Sequence, residues 1–135
     1  MMVSTRGRYA MRLMIDIAMR GGADGAPIPM RSAAESQDLS VKYLEQLGGS
    51  LVRAGLLKSV RGVSGGYLLT RPADQITAGE VLRAVEGSCA PVSCLAEQDN
   101  VCPRKDQCRS LRFWQGLDDA IDSYVESVTL ADLID

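Results

Sequence analysis

The chain has 135 residues, of which 46% are hydrophobic and 24% are charged. This composition predicts a single globular domain, because a chain of this length cannot bury two independent cores. No apolar run approaches the roughly 18 residues that a membrane-spanning helix requires, and arginines interrupt the N-terminal stretch where a secretory signal would be apolar. We therefore expect a cytoplasmic protein with no membrane partner.

The formal net charge is only −2, but its distribution along the chain is uneven. Residues 1–61 contain nine lysines and arginines against five acidic residues, a net charge of +4, whereas residues 62–135 contain six against twelve, a net charge of −6. A basic half joined to an acidic half is typical of a protein whose basic part meets an anionic partner. Ordinary scatter of charge gives the same pattern, so the interpretation depends on the motifs that follow.

The predicted elements begin with a helix over residues 5–20, which is apolar on most sides and therefore buried. Thr5 is its predicted N-cap, and Gly21-Gly22 is its predicted C-terminal stop. Glycine, aspartate and proline in residues 23–29 indicate a loop. A short helix is then predicted from about Met30 to Ser36.

A tight turn, QDLS, separates this helix from the next, VKYLEQLGGSLVRAG, for which Ser40 is the predicted N-cap. The apolar residues of this helix recur every three or four positions, so they share one buried face. Gly48 and Gly49 each lower the helix propensity by about 1 kcal/mol. They leave a spot without side chains, suited to close packing or to the approach of a partner. Gly55 is the predicted end.

Two short apolar runs, Leu57–Val60 and Tyr67–Leu69, flank the sequence RGVSGG and predict a β-hairpin with a glycine-rich tip. The sequence TAGE at 77–80 predicts a capping box at the start of another helix. Residues 87–107 are predicted to be a polar loop.

The last predicted helix runs from about Cys108 to Ser127 and carries a wide apolar stripe. At roughly 30 Å long, it has more apolar surface than its own domain can cover. We expect it to pair with a second copy of the chain in a homodimer, although a core helix of a monomer would show the same stripe. Thr129 is the predicted cap of a short final turn.

Two helices joined by a short turn and followed by a hairpin match a winged helix-turn-helix, so the predicted class is mainly α with a small β-hairpin wing. In this architecture the second helix enters the major groove of double-stranded DNA by its N-terminal end. Glutamate accepts from cytosine, glutamine bonds adenine, and arginines contact phosphates or the minor groove. The predicted DNA-binding residues are Arg6, Arg8, Arg31, Ser40, Lys42, Tyr43, Glu45, Gln46, Arg61 and Gly62.

With these elements in this order, the sequence resembles the IscR-like (Rrf-two) family of bacterial winged helix-turn-helix transcription regulators. The resembling stretches are STRGRYAMRLMIDIA, LSVKYLEQL, SVRGVSGGYLL, ITAGEVLRAVEG and VTLADLI, and the resemblance covers essentially the whole chain. It implies a homodimer crossed over by the long C-terminal helices, which binds a palindromic operator. It also implies DNA recognition through Glu45, Gln46 and Arg61 at the matching positions.

The resemblance further implies an iron–sulfur cluster, 2Fe–2S or 4Fe–4S, held by three cysteines before the last helix. Cys94, Cys102 and Cys108 match that triplet best. The family's histidine ligand is replaced by Leu111, and the chain contains no histidine. Three completions remain open: Cys89 as a fourth thiolate, an oxygen ligand from Asp, Glu or water, or no cluster at all, with the thiols acting alone.

All four cysteines lie in the segment SCAPVSCLAEQDNVCPRKDQC, residues 88–108. In a reducing cytoplasm such a group indicates metal ligands or redox groups rather than disulfides. The uneven spacing suits a loop that wraps an iron–sulfur cluster. Zinc is an alternative, although only Cys89 and Cys94 approach the paired spacing of a structural zinc site. A bare thiol switch is the third interpretation.

We therefore predict three segments: residues 1–86 as a winged helix-turn-helix DNA-binding domain, 87–108 as a cluster-binding loop, and 109–135 as a dimerisation helix with a C-terminal turn. The predicted function is transcription regulation that senses iron, oxygen, nitric oxide or sulfur supply through the cluster. The alternative is a regulator of the same fold that responds through thiol oxidation, zinc or a small molecule of cysteine metabolism. An enzyme is excluded, because the sequence offers neither a histidine base nor a phosphate-binding loop.

Overall fold

The computed structural model describes residues 3–96, 99–100 and 102–134. These ranges contain five α-helices and one antiparallel pair of strands, so the predicted class, mainly α with a β-hairpin, is confirmed. The helices are α1 (Thr5–Arg20), α2 (Met30–Gln37), α3 (Val41–Arg53), α4 (Ala78–Glu86) and α5 (Leu111–Ser127), and the strands are β1 (Leu57–Val60) and β2 (Gly66–Leu69). Short 3-10 turns cover Ala73–Gln75, Ser93–Leu95 and Ala131–Leu133.

Helices α2 and α3 form the predicted helix-turn-helix pair. Asp38 adopts a left-handed conformation (φ 54°) after α2, and its N–H donates to the carbonyls of Ala34 and Glu35; aspartate tolerates this conformation better than most residues. Ser40 then caps α3, because its Oγ accepts from the Tyr43 N–H at 3.1 Å. The predicted cap of α3 is therefore confirmed, and the turn fixes the angle between the two helices.

One hydrophobic core joins the helices, the hairpin and the C-terminal turn. Full burial of a leucine, isoleucine or methionine side chain stabilises a fold by about 1.5–3 kcal/mol. The largest fully buried side chains are Leu13, Met14, Ile17, Leu44, Leu47, Leu51, Leu57, Leu69, Ile76, Leu130 and Val81. Since α1 and α3 each contribute three of them, the recognition helix is anchored on the core along its whole inner face.

β2 begins at Gly66, one residue earlier than the sequence predicts, and it has a backbone partner on each edge. β1 and β2 pair from Leu57 with Leu69 to Val60 with Gly66. Ile28 adds a third strand position on the other edge of β2, exchanging two backbone hydrogen bonds of 2.9 Å with Tyr67. Gly66, with φ +147°, lets the Ile28 carbonyl approach where a Cβ would collide. The loop before α2 is thereby tied to the wing.

Two predicted boundaries are wrong. The N-cap of α1 is Ser4 rather than Thr5, because the Ser4 Oγ reaches the N–H of Gly7, at 3.4 Å, while Thr5 already lies in the first turn. Helix α5 begins at Leu111 rather than Cys108, because residues 109–110 form a turn closed by the Leu111 N–H to the Cys108 carbonyl at 3.3 Å, and Ser110 directly precedes the helix. Cys108 is therefore outside the helix, at the end of the loop.

The C-terminal part of the chain packs back on the core. Thr77 and Glu80 form the predicted capping box at the start of α4, and Thr77 also bridges to Thr129. Leu130 is fully buried, and its N–H donates to the Ile76 carbonyl at 2.9 Å. The division into three segments stays a prediction, since the last turn shares its core with the first helices.

Helix α5 packs against α4, yet none of its described residues is buried. Phe113 and Tyr124 are 63% and 70% exposed.

Among the described residues, no helix is both long and apolar enough to cross a membrane.

Candidate nucleic-acid interface and cysteine segment

The N-terminal half of α3 presents a polar, exposed face. Lys42, Glu45 and Gln46 are all exposed, and the spacing of three and four residues places them on one side of the helix. The opposite side, with Leu44 and Leu47, is buried in the core. This arrangement leaves the three polar side chains able to reach base edges in a major groove.

Two other residues of the predicted DNA-binding set already have intramolecular partners. The Ser40 Oγ is the acceptor of the α3 cap. Tyr43 is half-buried, and its ring lies edge-on against Tyr9 with centroids 6.0 Å apart. Arg12 in turn lies over the Tyr9 ring at 5.1 Å. Tyr43 therefore also fixes α3 against α1.

The wing tip projects from the hairpin as a short glycine-rich turn. Arg61 and Gly62 are exposed, and Gly62 has φ +104°, which a residue with a side chain rarely adopts. Gly65 closes the turn by donating its N–H to the Gly62 carbonyl at 3.0 Å. Val63 is fully exposed at 104%. The tip is thin enough to enter a groove, with Arg61 beside it.

Basic side chains extend this surface onto α1 and α2. Arg6, Arg8 and Arg31 are all exposed, and the Arg6 Nη2 lies 3.4 Å from the Ser50 Oγ of α3. Within the described ranges, none of the cations Arg8, Arg31, Lys42 and Arg61 pairs with a carboxylate. These charges are therefore free for phosphate.

Ser50 is a residue of this region that the sequence analysis missed. It is buried on α3, and its Oγ accepts from Arg6 at 3.4 Å and from Arg53 at 3.3 Å. Its position beside Leu47 and Leu51 on the apolar face could have indicated this role, because a buried hydroxyl needs hydrogen-bond partners. Ser50 links the first turn of α1 to the recognition helix.

The wing packs on α3 at Gly48, a position without a side chain. A Cβ built on Gly48 would lie 2.5 Å from the Tyr67 Cζ, so only glycine accommodates this ring. Burial, and second the nearby charge of Glu45, raise the pKa of Tyr67. Of the two predicted uses of the glycine pair, Gly48 serves close packing, and it holds the wing beside Glu45.

The cysteine segment joins α4 to α5. Cys89, Cys94, Cys102 and Cys108 are all free thiols of intermediate exposure. Residues 97, 98 and 101 of the segment lie outside the described residues. Among the residues that are described, no three histidine, cysteine, aspartate or glutamate side chains lie close enough together to share a metal ion.

The thiols occupy two different surroundings. Cys94 lines an open cleft of ≈ 380 Å³ beside Asp106, Leu111 and Gln115, at the start of α5. Cys89 lines another cavity, of ≈ 320 Å³, whose other lining residues include Val3, Leu82, Ile121 and Val125. Cys89, the candidate fourth thiolate, is thus separated from the cleft that holds Cys94.

The two thiols at the ends of the segment differ in acidity. A hydrogen bond with the Ser110 hydroxyl, at 3.3 Å, is the main cause that lowers the pKa of Cys108. Burial raises the pKa of Cys89, and the cation Arg83 only partly opposes that effect. A thiolate is the form that binds metals and reacts with oxidants, so Cys108 is the better prepared of the two.

The donor set fits an iron–sulfur cluster in its chemistry, since thiolates on a loop are the ligands that such clusters take. Arg104, Lys105 and Arg109 are exposed around Cys108, where their charge would offset that of a cluster. The three thiols do not converge in the arrangement described, so binding would require the segment to close. Zinc would need the same closure around four donors.

The helix-turn-helix pair, the wing and the free basic side chains define the class of protein: a winged helix-turn-helix DNA-binding protein. Residues 3–135 match the sequence model of the Rrf2 family, described as iron-dependent transcriptional regulators. The chain therefore belongs to the Rrf2 family of transcriptional regulators, and the relatives are regulators rather than enzymes.

Two kinds of named regulator are about equally similar to the chain. It is 40% identical over 133 residues to the HTH-type transcriptional regulator CymR of Bacillus subtilis, covering 98% of this chain and 89% of the relative. It is 37% identical over 134 residues to the HTH-type transcriptional regulator IscR of Cronobacter sakazakii, covering 99% of this chain and 80% of the relative.

Solved structures give the same two neighbours. CymR, titled the global cysteine regulator of B. subtilis, has a TM-score of 0.78 and 38% identity, covering 99% of this chain and 96% of that one. IscR of T. potens has a TM-score of 0.73 and 34% identity, covering 99% and 86%. The fold and the family are thus shown, and both named regulators are found among the solved structures.

Proposed function

We propose that the protein is a homodimeric regulator in the cytoplasm that binds a palindromic operator and changes its DNA affinity with the state of residues 88–108. The observation that carries this proposal is the position of that segment. It leads from the end of α4, packed on the DNA-binding core, directly into α5, the helix with the uncovered apolar face. Any change in the thiols therefore acts at the junction of the two functional surfaces.

DNA docking follows from the exposed face of α3. Glu45 and Gln46 read base edges in the major groove, with Lys42 near the backbone. Arg61 and Gly62 enter the minor groove or clamp phosphate from the wing, while Arg6, Arg8 and Arg31 contact the backbone. Ser40 and Tyr43 contribute through the helix start that they hold. In a twofold dimer the half-sites lie about one helical turn apart.

The homodimer is supported by the distribution of side chains on α5. One exposed stripe holds Phe113, Gly116, Ala120 and Tyr124, spaced three and four residues apart. Aromatic rings stand at its ends and small residues at its centre, an order that suits an antiparallel copy of the same helix. The apolar face toward the domain is only half-buried, so a second copy would also complete its burial.

Charge along α5 favours the same antiparallel pairing. Arg109 and Arg112 lie at the N-terminal end, whereas acidic residues fill the C-terminal half. The acids crowd one another there: burial and then the charges of Asp122 and Asp119 raise the pKa of Asp118. An antiparallel copy would bring the arginines of one helix toward the acids of the other.

Ala120→Glu is expected to convert the dimer into monomers, because it adds like charges where two helices approach most closely. Sedimentation equilibrium over micromolar concentrations measures the result. Gln115→Glu, which adds the same charge outside the stripe, is the matched control and should remain dimeric. A wild-type protein that sediments as a monomer would remove this interface from the account.

An iron–sulfur cluster is the occupant we propose for the segment. Cys94, Cys102 and Cys108 would hold it, and the cluster would supply a one-electron, oxygen-sensitive and iron-dependent group. For the fourth ligand, the placement of Asp106 in the Cys94 cleft supports an oxygen ligand over Cys89. The family description as iron-dependent regulators supports iron as the metal of the occupant.

Anaerobic purification identifies the occupant. We expect a brown protein with visible absorbance and with iron and sulfide in stoichiometric amounts, because thiolates bind iron with charge-transfer bands. Cys94→Ala, Cys102→Ala and Cys108→Ala should each abolish the colour, whereas Cys89→Ala, the matched control, should keep it. A colourless anaerobic protein with stoichiometric zinc would contradict the cluster.

A second candidate is a thiol-responsive regulator without a cluster. The lowered pKa of Cys108 favours it, since a more acidic, partly exposed thiol is oxidised more readily. Similarity to a protein titled the global cysteine regulator points to the same signal class, thiol oxidation or a small molecule of cysteine metabolism. DNA affinity of metal-free protein, measured before and after mild oxidation with the oxidised thiols identified by mass spectrometry, separates the candidates: a change on oxidation supports this one, and an affinity that follows only the iron content supports the first.

A further inference from the structure

The last residue of α4, Glu86, holds the N-terminal end of α1. Its Oε1 accepts from the N–H of Ser4 at 3.0 Å and from the N–H of Gly7 at 3.1 Å, and the Ser4 hydroxyl donates to the same oxygen. Helix N-termini leave N–H groups unpaired and carry partial positive charge. The first turn of α1 has no acidic residue, so a carboxylate from a distant helix supplies the charge.

Gly7 leaves room for this contact. A Cβ on Gly7 would lie 2.5 Å from the Glu86 Oε1 and 2.6 Å from the Val3 Cγ1. Glycine at this position therefore lets the end of α4 reach the backbone of α1. The contact thus lies where α1 packs on α4.

The turn that Glu86 holds carries two of the proposed phosphate contacts. Arg6 and Arg8 project from it and are exposed. Arg6 also donates to the Ser50 Oγ of the recognition helix at 3.4 Å. A continuous set of hydrogen bonds therefore runs from the end of α4, through the first turn of α1, to α3.

The same carboxylate stands where the cysteine segment begins. Gly87, with φ +84°, ends α4 directly after it, and Glu86 and Cys89 line one cavity together with Val3 and Ile121. Glu86 therefore binds the turn that carries Arg6 and Arg8, and it also lies directly before the cysteine segment, residues 88–108.

We propose that Glu86 is a positioning residue for DNA binding, whose carboxylate holds the first turn of α1 so that Arg6 and Arg8 meet DNA phosphates in register with α3. This inference rests on the proposed phosphate contacts of those two arginines. Glu86 touches no DNA itself. Its effect must appear as a loss of phosphate contacts that depends on the presence of the arginines.

The test is a double-mutant cycle on metal-free, reduced protein. Binding to a duplex of the protein's own promoter region is measured over a range of salt concentrations for Glu86→Ala, Arg6→Ala/Arg8→Ala and their combination. Glu86→Ala should weaken binding about fivefold and reduce the salt slope by about 1, as expected when one phosphate contact is lost. In the background without the arginines it should change neither quantity.

Controls keep the role of Glu86 distinct from general stability. Asp132→Ala removes another carboxylate that accepts from a backbone N–H, that of Thr129 at 2.9 Å, and should leave the salt slope unchanged. Glu86→Gln retains the shape and an acceptor oxygen, and its DNA affinity should fall between those of wild type and Glu86→Ala. If Glu86→Ala unfolds α1, Glu86→Gln takes its place in the cycle. An equal loss from Glu86→Ala with and without the arginines would overturn the inference. If the arginine variant keeps the wild-type slope, the phosphate contacts are wrong and the role of Glu86 falls with them.

Discussion

Gly48→Ala is expected to destabilise the protein by about 1–3 kcal/mol, because the new methyl group overpacks a filled contact. A Cβ at this position would lie 2.5 Å from the Tyr67 Cζ and 3.1 Å from its Cε2. Tyr67 is buried in the middle of the wing, paired with Ser59 on one side and with Ile28 on the other. The ring cannot leave without moving β2 away from α3, so DNA affinity should fall as well.

The adjacent glycine provides a matched control with the opposite sign. A Cβ on Gly49 would meet only the Arg53 Nη1, at 3.3 Å, which is the far end of a flexible side chain. Gly49→Ala should therefore stabilise the protein by about 0.5–1 kcal/mol through helix propensity. Urea unfolding followed by circular dichroism measures both variants. Equal destabilisation by the two would show that Tyr67 does not pack on Gly48.

Arg61→Ala is expected to cost about 1–3 kcal/mol of DNA binding, which corresponds to a loss of roughly 5- to 150-fold. Arg61 is exposed at the wing tip, pairs with no carboxylate in the described part of the chain, and lies beside glycines that let a groove approach. Its removal should leave the fold unchanged, because its side chain takes part in none of the ion pairs found among the described residues.

Fluorescence anisotropy with a duplex of the protein's own promoter region measures this loss. Arg71→Ala is the charge-matched control: Arg71 pairs with Glu80 of α4, so it is engaged inside the domain, and its removal should weaken binding far less. Unchanged affinity of Arg61→Ala would mean that the wing does not contact DNA in the way proposed. An equal loss in both variants would indicate net charge alone.

Much of the fold was predictable because the signals are local. Ser40 and the Thr77–Glu80 capping box were identified correctly, since a cap depends only on side chains within three residues. The N-cap of α1 was assigned one residue too late because Ser4 and Thr5 carry equivalent hydroxyls. The choice between them depends on Glu86, 82 residues away, which binds the Ser4 N–H.

The roles of particular residues in the site were less accessible. The sequence left open whether the glycine pair served packing or a partner, and only the position of Tyr67 against Gly48 settles it. The predicted start of α5 at Cys108 lies three residues before the observed one. The turn over residues 109–110, closed by the Leu111 N–H to the Cys108 carbonyl, delays the helix, and periodicity does not indicate such a turn. The sequence does not indicate the role of Ser50, because the partners of its hydroxyl lie on another turn of α3 and on α1.

The cysteine segment marks the limit of sequence reasoning most clearly. Spacing suggested three ligands and a fourth to be chosen, but spacing does not say which thiols share a surface. Cys89 lies in an apolar cavity and Cys94 in an open cleft with Asp106. That separation comes from the way α5 returns across α4, a long-range feature that no local pattern encodes.

The central claim is that the state of residues 88–108 sets DNA affinity. It is tested most directly by measuring one protein's dissociation constant for its promoter duplex twice under anaerobic conditions, first with iron and sulfide restored and then after chelation. A coupling of about 1–3 kcal/mol predicts that the two values differ by about 5- to 150-fold. Equal dissociation constants in the two states, with iron content shown to differ, would contradict it.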